Sequence, residues 1–249
     1  MKRNKNKGKP FDKCFVDADS LIFRIALKDI TLKVAKEYYD QAIEEIVWNT
    51  NSSNVAVALK GKGNFRYEVS PDYKLHRSGK PLDEAVAKRR KALNKYAYSL
   101  GHFKSNNCEA DDVVSIWAQE ALDAGENFVI AHIDKDIDMV EGWHYNFTKE
   151  TLYYIDKDTG WYKMCIQMLT GDSTDNIQGL VGIGPKKAEK LLADVPQPDM
   201  LDKVREAWEE AHPEDWQDRL EVCWNLLYMR RNWDGFRRLT IEDELNDKV

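Results

Sequence analysis

The 249-residue sequence predicts an α/β fold, in which a central, mainly parallel sheet flanked by helices gives way to a helical C-terminal region. Three observations carry this. Short apolar runs rich in Val and Phe, each followed by polar residues, read as buried parallel strands. Stretches with apolar residues near helical spacing lie between them. Beyond Trp161 the pattern turns helical and stays so to the end.

Taken in order, residues 13–18 (KCFVDA), 54–59 (NVAVAL) and 127–133 (NFVIAHI) are the strand runs. The first helix candidate spans 32–48, and a basic one spans 82–100. Another covers 111–122, where Val113, Val114, Trp117, Ala118 and Ala121 line one face. Residues 143–147 and 151–155 form a pair of short strands, a hairpin at the sheet edge. Residues 182–192 (GIGPKKAEKLL) open the helical C-terminal region, with further amphipathic candidates at 201–211 and 216–233.

No apolar run is long enough to span a bilayer, and the basic tail at residues 1–9 has no apolar stretch behind it. A soluble, non-secreted, cytoplasmic protein with no membrane partner is expected. Cys14, Cys108, Cys165 and Cys223 are scattered without a Cys-x-x-Cys pair, which argues against a zinc site and against a disulfide framework.

The net charge of −6 conceals a strong segregation. Residues 60–104 hold twelve bases against four acids, a local excess of +8. A polyanion responds to where charge lies, so the sum does not exclude nucleic acid. The helix candidate at 82–100 carries Lys88, Arg89, Arg90, Lys91 and Lys95, with acids only in its first turn. A solvated face would mix both signs, so this one reads as a phosphate-binding surface. Lys74 and Arg77 in PDYKLHR precede it and are placed to offset charge building on a phosphate.

Open parallel sheets bind ligands outside the carboxyl ends of their strands. Asp17 closes the first run, and Asp134 and Asp136 follow the third in IDKDID. Glu109, Asp111 and Asp112 (EADD) start a helix, and Asp172 and Asp175 stand in GDSTDN. Alone, EADD is an ordinary helix start that caps free N–H groups, and GDSTDN an ordinary turn. Together, carboxylates gathered without cations repel each other and lose hydration unless metal ions compensate. Oxygen-only ligands indicate Mg2+ or Mn2+, in two sites suited to ions about 3.5–4 Å apart that bracket an in-line phosphoryl displacement.

Gly182, Gly184, Pro185 and Ala188 fit the G-h-G-x-x-x-A form of a helix-hairpin-helix. Its glycines let backbone approach phosphate and its new helix points N–H groups there. Lys186 and Lys187 beside it favour sequence-independent DNA backbone contact over a plain Gly-Pro helix start.

These residues together resemble the 5′-nuclease superfamily, in particular bacteriophage 5′-to-3′ exonucleases and flap endonucleases. VDADSLIFR resembles the family's V-D-G-x-x-L-x-x-R, and PDYKLHR its Y-K-x-x-R. EADD and IDKDID match its E-A-D-D and x-D-x-D-x-D. GDSTDNIQGLVGIGPKKAEKLL resembles its G-D-x-x-D-N-I-x-G-V-x-G-I-G-x-K-x-A-x-x-L.

The resemblance implies a PIN-like catalytic domain over 1–168, with a basic helical arch at about 74–104 for a free 5′ end. A helix-hairpin-helix region over 169–249 would hold duplex DNA, with K+ as a further cofactor. It implies Asp17, Glu109, Asp111 and Asp112 around one metal ion, Asp134, Asp136, Asp172 and Asp175 around the other, and Lys74 with Arg77 at the scissile phosphate. The expected enzyme is a monomeric phosphodiester hydrolase acting on DNA 5′ ends, flaps and branched duplexes, with RNA–DNA hybrids as a further substrate, in replication or repair.

One departure stands out. The family carries an aspartate at the end of the second strand, where this chain reads Ala58-Leu59-Lys60-Gly61. Either the first metal site binds more weakly, or Lys60 replaces part of the missing ion's charge. Asp138 is expected outside the metal shell, turned away from Asp134 by a helix starting near Lys135. The alternatives are a non-cleaving protein that binds branched or 5′-ended DNA, and an RNA-cleaving PIN-type enzyme.

Overall fold

The computed structural model describes Gly8 and residues 10–77 and 82–242, with the Arg77 side chain left out. The remainder of the 1–9 tail, and Lys80 of the basic stretch, lie outside the described residues. In chain order the main elements are β1 (Phe11–Asp17), α1 (Asp19–Ala26), α2 (Leu32–Thr50), β2 (Ser52–Lys62), α3 (Arg66–Val69), α4 (Glu84–Ser99), β3 (Phe103–Asn106), α5 (Ala110–Asp123), β4 (Phe128–His132), β5 (Gly142–Asn146) and β6 (Thr151–Ile155). They continue with α6 (Lys157–Thr170), β7 (Gly171–Asp172), β8 (Ile177–Gln178), α7 (Pro185–Leu192), α8 (Met200–Ala211) and α9 (Trp216–Leu227). The fold is α/β with a mainly parallel sheet, as the sequence predicts.

Contacts group the chain into two units. The first comprises residues 1–63, 82–155 and 230–232; the second comprises 64–81, 156–229 and 233–249. The expected basic segment is thereby divided, with Lys74 and Arg77 in the second unit and α4 in the first.

The first unit is built on a six-stranded sheet of order β3-β2-β1-β4-β5-β6, parallel except for β6. β1 lies between β2 and β4, and Cys14 to Asp17 are all buried. Successive residues of a strand face opposite sides. Cys14 and Val16 therefore join Ile22, Ile46 and Leu93 in a core with α1, α2 and α4. Phe15 faces the other side, 5.8 Å from the Trp117 ring of α5 and 5.7 Å from Phe128. The chain leaves β1 towards β2 and later returns across it to β4, so the switch point lies at the carboxyl ends of β1 and β4.

Local chemistry explains the boundaries. Thr31 caps α2 by accepting from the Val34 N–H, and Asn51 ends it in the left-handed region at φ 54°. Asp83 caps α4 by accepting from Ala85 and Val86. At Gly61 a Cβ would stand 1.6 Å from the Ser105 carbonyl oxygen, so only glycine lets β2 approach β3 there. The register between those strands shifts at that point. No helix among the described residues is long and apolar enough to cross a membrane.

In the second unit α6 packs on α7, α8 and α9, burying Met164, Cys165, Met168, Val204, Trp208 and Trp224. The buried Arg66 guanidinium donates to the Leu226 and Tyr228 carbonyls at 2.9 and 3.3 Å, which anchors the segment leading to Lys74. Helix α9 ends at Leu227 rather than running on to Trp233, because Tyr228 turns extended.

Candidate functional site

At the switch point the first unit gathers acids from four elements. Asp17 ends β1, Asp19 opens α1, Glu109 is the N-cap of α5, and Asp134 caps the 3-10 turn Lys135–Met139 that follows β4. Asp17 Oδ1 accepts from the Asp19 N–H at 3.2 Å, and Asp134 Oδ1 from the Asp136 N–H at 3.0 Å. Lys60 reaches in from β2, with Nζ 3.9 Å from Glu109 Oε1. The Tyr98 hydroxyl holds the Lys60 carbonyl.

The electrostatics register this crowding. Burial pushes the Asp17 carboxyl from its ordinary 3.8 up to about 8, and the charges of Asp19, Asp134 and Glu109 push the same way. Asp19 is raised by burial as well, opposed by the Lys60 N–H and by the Lys60 and Arg90 charges. Asp17 and Glu109 are buried, Asp19 is half-buried and Asp134 is exposed; carboxyls that crowd one another in this way, as an all-oxygen set, fit a hard divalent cation whose charge would restore their ionised form.

An acid does lie beside the strand segment where the sequence lacks one. Asp19 Oδ1 accepts from the Lys60 N–H at 2.7 Å, so a carboxylate from the start of α1 stands at the end of β2. The strand itself carries no acid at 58–61, as the sequence reads, and the nearby carboxylate comes from α1. Sequence reasoning missed Asp19 although it is the second acid of VDAD, because only the sheet register shows that α1 begins beside β2: Asp17 is paired with Ala58, two residues before Lys60.

The other acids of EADD divide between roles. Asp112 is fully buried, and the Glu109 N–H donates to its Oδ2 at 3.1 Å while the Arg230 N–H donates to its Oδ1 at 3.3 Å. Glu109 and Asp112 thus form a capping box, the plain helix-start role. Asp111 is half-buried and its Oδ1 accepts from the Asp112 N–H at 2.8 Å. Asp136 is half-buried, with Lys135 Nζ 4.0 Å from its Oδ1. Asp138 turns to Tyr153, whose hydroxyl donates to its Oδ1 at 2.7 Å.

The second unit makes its own charged group. Lys74 Nζ lies 3.2 Å from Asp175 Oδ2, and the Tyr73 hydroxyl donates to the same oxygen at 3.3 Å. The backbone is zipped alongside, with the Lys74 N–H donating to the Asp175 carbonyl at 2.8 Å and Asn176 Nδ2 to the Asp72 carbonyl at 2.7 Å. Two residues singled out for different tasks are therefore held together. Asp172 is buried and accepts from the Thr174 N–H at 2.7 Å. Arg77 closes the 3-10 turn Leu75–Arg77.

On α4, Lys88, Lys91 and Lys95 are exposed. Arg89 is committed internally, with Nη1 donating to the Ala26 carbonyl at 2.6 Å and Nε to the Ile30 carbonyl at 3.0 Å, which ties α4 to the end of α1. Arg90 lies over the Phe23 ring at 5.5 Å. At residues 181–185, Val181 is 96% exposed, Gly182 sits at φ +79°, and Gly184 is the N-cap of α7 with Pro185 in its first turn. A Cβ at Gly184 would meet nothing, so internal packing does not require that glycine. Lys186 is exposed, and Lys187 Nζ donates to the Gly182 carbonyl at 2.8 Å.

Residues 13–153 match the family described as 5′-3′ exonuclease, N-terminal resolvase-like domain. The chain is 32% identical over 148 residues to a DNA polymerase I of Rhizobium leguminosarum, covering 55% of this chain but only 14% of that protein. It is 28% identical over 238 residues to flap endonuclease Xni of Photorhabdus laumondii, covering 89% of this chain and 90% of that one. Among solved structures, the bacteriophage T5 D15 protein co-crystallised with metal ions superposes with a TM-score of 0.72 at 16% identity, over 95% of this chain and 97% of that one. That likeness is one of fold.

Proposed function

Because the chain belongs to the 5′-3′ exonuclease family with the N-terminal resolvase-like domain, we propose that it is a divalent-metal-dependent nuclease, acting as a 5′-to-3′ exonuclease and flap endonuclease on DNA. The observation that carries this reading is the buried Asp17 at the switch point, repelled by Asp19, Asp134 and Glu109. Such a group destabilises a metal-free protein and makes sense as a ligand cradle.

In the proposed site of the first unit Asp17, Asp19, Glu109, Asp111, Asp134 and Asp136 offer oxygens to Mg2+ or Mn2+; Asp172 and Asp175, on the second unit, are proposed as metal ligands in their turn. Two bound ions would activate a water and neutralise the leaving oxygen. Asp112 contributes by fixing the start of α5, and so the direction in which Glu109 and Asp111 point. Lys74 and Arg77 place positive charge at the scissile phosphate, and Lys74 exchanges its Asp175 partner for the substrate.

Lys88, Lys91 and Lys95 follow the DNA backbone, as do the N–H groups at Gly182 and Gly184 together with Lys186. K+ at this loop belongs to the same proposal, and the Gly182 carbonyl would help hold it once the Lys187 ammonium gives that oxygen up. Action as a monomer in the cytoplasm, and removal of RNA from RNA–DNA hybrids, complete the reading. Asp19 weakens the case for a non-cleaving DNA-binding protein, which rested on the absent aspartate near Leu59 and Lys60.

The deciding experiment is cleavage of a 5′-labelled flap duplex with and without Mg2+, by the natural chain and by Asp17→Asn and Asp134→Asn. Metal-dependent release of short 5′ products, abolished in both variants while DNA binding in Ca2+ persists, is expected. Binding without cleavage in Mg2+ and in Mn2+ would refute it.

A further inference from the structure

A second cluster of ligating side chains lies in the first unit, one residue away from the Asp134 turn. His132 ends β4, His144 is in the middle of β5, and Tyr153 faces His144 across the β5–β6 ladder. Asp138 comes from the turn between β4 and β5. Both imidazoles are buried, at 1% and 0% exposure.

The outer nitrogen of each ring has a fixed role. His132 Nδ1 lies 2.6 Å from the Asp134 carbonyl oxygen, and His144 Nε2 lies 2.8 Å from that of Val140. A carbonyl only accepts, so both of these nitrogens carry protons. In neutral rings the lone pairs then sit on the inner nitrogens, His132 Nε2 and His144 Nδ1, which face each other at 2.8 Å. Asp138 Oδ1 stands 3.9 Å from His132 Nε2, and the Tyr153 hydroxyl orients that oxygen by donating to it at 2.7 Å. Two imidazole lone pairs and a carboxylate oxygen, all within 4.8 Å of one another and with the Tyr153 hydroxyl 3.4 Å from His132 Nε2, are relieved of their repulsion by a positive charge among them, either a shared proton or a metal ion.

We propose that His132, His144 and Asp138 bind one transition-metal cation of the Zn2+ class, at a site separate from the oxygen-only acidic centre. Two imidazoles and a carboxylate are a zinc-type donor set and a poor one for Mg2+. The surroundings are those of metal-binding histidines, with each outer N–H on a backbone carbonyl and the ligating carboxylate itself hydrogen-bonded. With bonds of about 2.0–2.1 Å, two nitrogens on a tetrahedral ion lie about 3.3 Å apart, so the rings part by roughly half an ångström on binding. No thiolate takes part. The consequence reaches the nuclease site: His132 Nδ1 holds the Asp134 carbonyl, so the ion stiffens the turn that presents Asp134 and Asp136.

The test is titration of the metal-stripped full chain with Co2+, read by visible absorption, with Zn2+ as competitor. One equivalent giving the intense bands of a four-coordinate nitrogen-containing site, displaced by Zn2+ and retained in Asp17→Asn, is expected. His144→Gln and the half-buried Asp138→Asn should each weaken Zn2+ binding by more than the roughly 10- to 100-fold that loss of an outer hydrogen bond costs. Far-UV circular dichroism checks that each variant folds. The proposal is overturned if the natural chain shows no such bands, in which case a shared proton joins the two rings. It is also overturned if the bands survive both ligand substitutions or vanish in Asp17→Asn, which would put the ion in the acidic centre.

Discussion

The raised Asp17 carboxyl makes the stability of the metal-free protein depend on pH in an unusual direction. A carboxyl whose folded-state value exceeds its unfolded value keeps its proton in the fold after the unfolded chain has released it. Its contribution is complete below the ordinary 3.8 and is lost as pH rises towards about 8. One proton changes stability by at most about 1.4 kcal/mol per pH unit. Between pH 5 and 7, stability in EDTA should therefore fall by roughly 1–3 kcal/mol, where a typical protein changes little. The perturbation is Asp17→Asn, which removes the proton and its repulsion by Asp19, Asp134 and Glu109. The assay is urea unfolding at pH 5, 6, 7 and 8 in EDTA, repeated in 10 mM Mg2+. The natural chain should lose stability with rising pH and Asp17→Asn should lose less, while Mg2+ flattens the natural curve by binding the ionised form. Parallel curves for the two proteins in EDTA would refute the reasoning.

Four other outcomes follow from the contacts and exposed charges described above. Asp19→Asn keeps an oxygen for the Lys60 N–H but removes a charge, so divalent-ion affinity measured calorimetrically without DNA should fall about tenfold, or about 1.4 kcal/mol, and an unchanged affinity would reduce Asp19 to a brace for β2. Arg89→Ala leaves the Ala26 and Ile30 carbonyls without their guanidinium and should cost about 1–3 kcal/mol of stability in urea, with the salt dependence of DNA binding unaltered. Lys88→Ala and Lys91→Ala should do the reverse, each lowering the slope of log affinity against log salt by about 0.9 if it marks a phosphate contact. Gly61→Ala forces a methyl onto the Ser105 carbonyl and should destabilise the chain by about 2–3 kcal/mol; a neutral result would mean that β3 moves away easily.

Strands buried on both faces were the most legible part of the sequence, because Cys14 to Val16 in β1 and Phe128 to Ala131 in β4 are unbroken apolar runs. The β5–β6 hairpin was legible from its spacing. Helix α1 was hidden by its brevity, its apolar residues following the first strand with no turn signal between. β3 was hidden because FKSN buries one residue of four and depends on pairing with β2 rather than on an apolar face. Helix α6 begins at Lys157, before the helical pattern noted from Trp161, since its start is set by Asp156 capping Thr159. At the site, residue type and spacing marked the acids, yet spacing could not say which oxygens cap a helix, as in Asp112, and which acids crowd Asp17 at the switch point. Nor could it reveal that Arg89, one charge in a basic run, faces inward, or that His132 and His144, twelve residues apart, meet through the register of neighbouring strands.

The hydrogen bond from the Lys60 N–H to Asp19 bears on how relatives of this chain are compared. Column by column, an aligner scores a strand-end aspartate as lost and records a basic residue in its place. In the folded chain a carboxylate still stands there, delivered from a different address. A tally of acids drawn from alignment columns alone would count one fewer at this site than the fold brings beside Lys60. Substitutions at position 19 and at position 60 should accordingly be tolerated in pairs, an acid being free to move between the helix start and the strand end so long as one of the two sites supplies it.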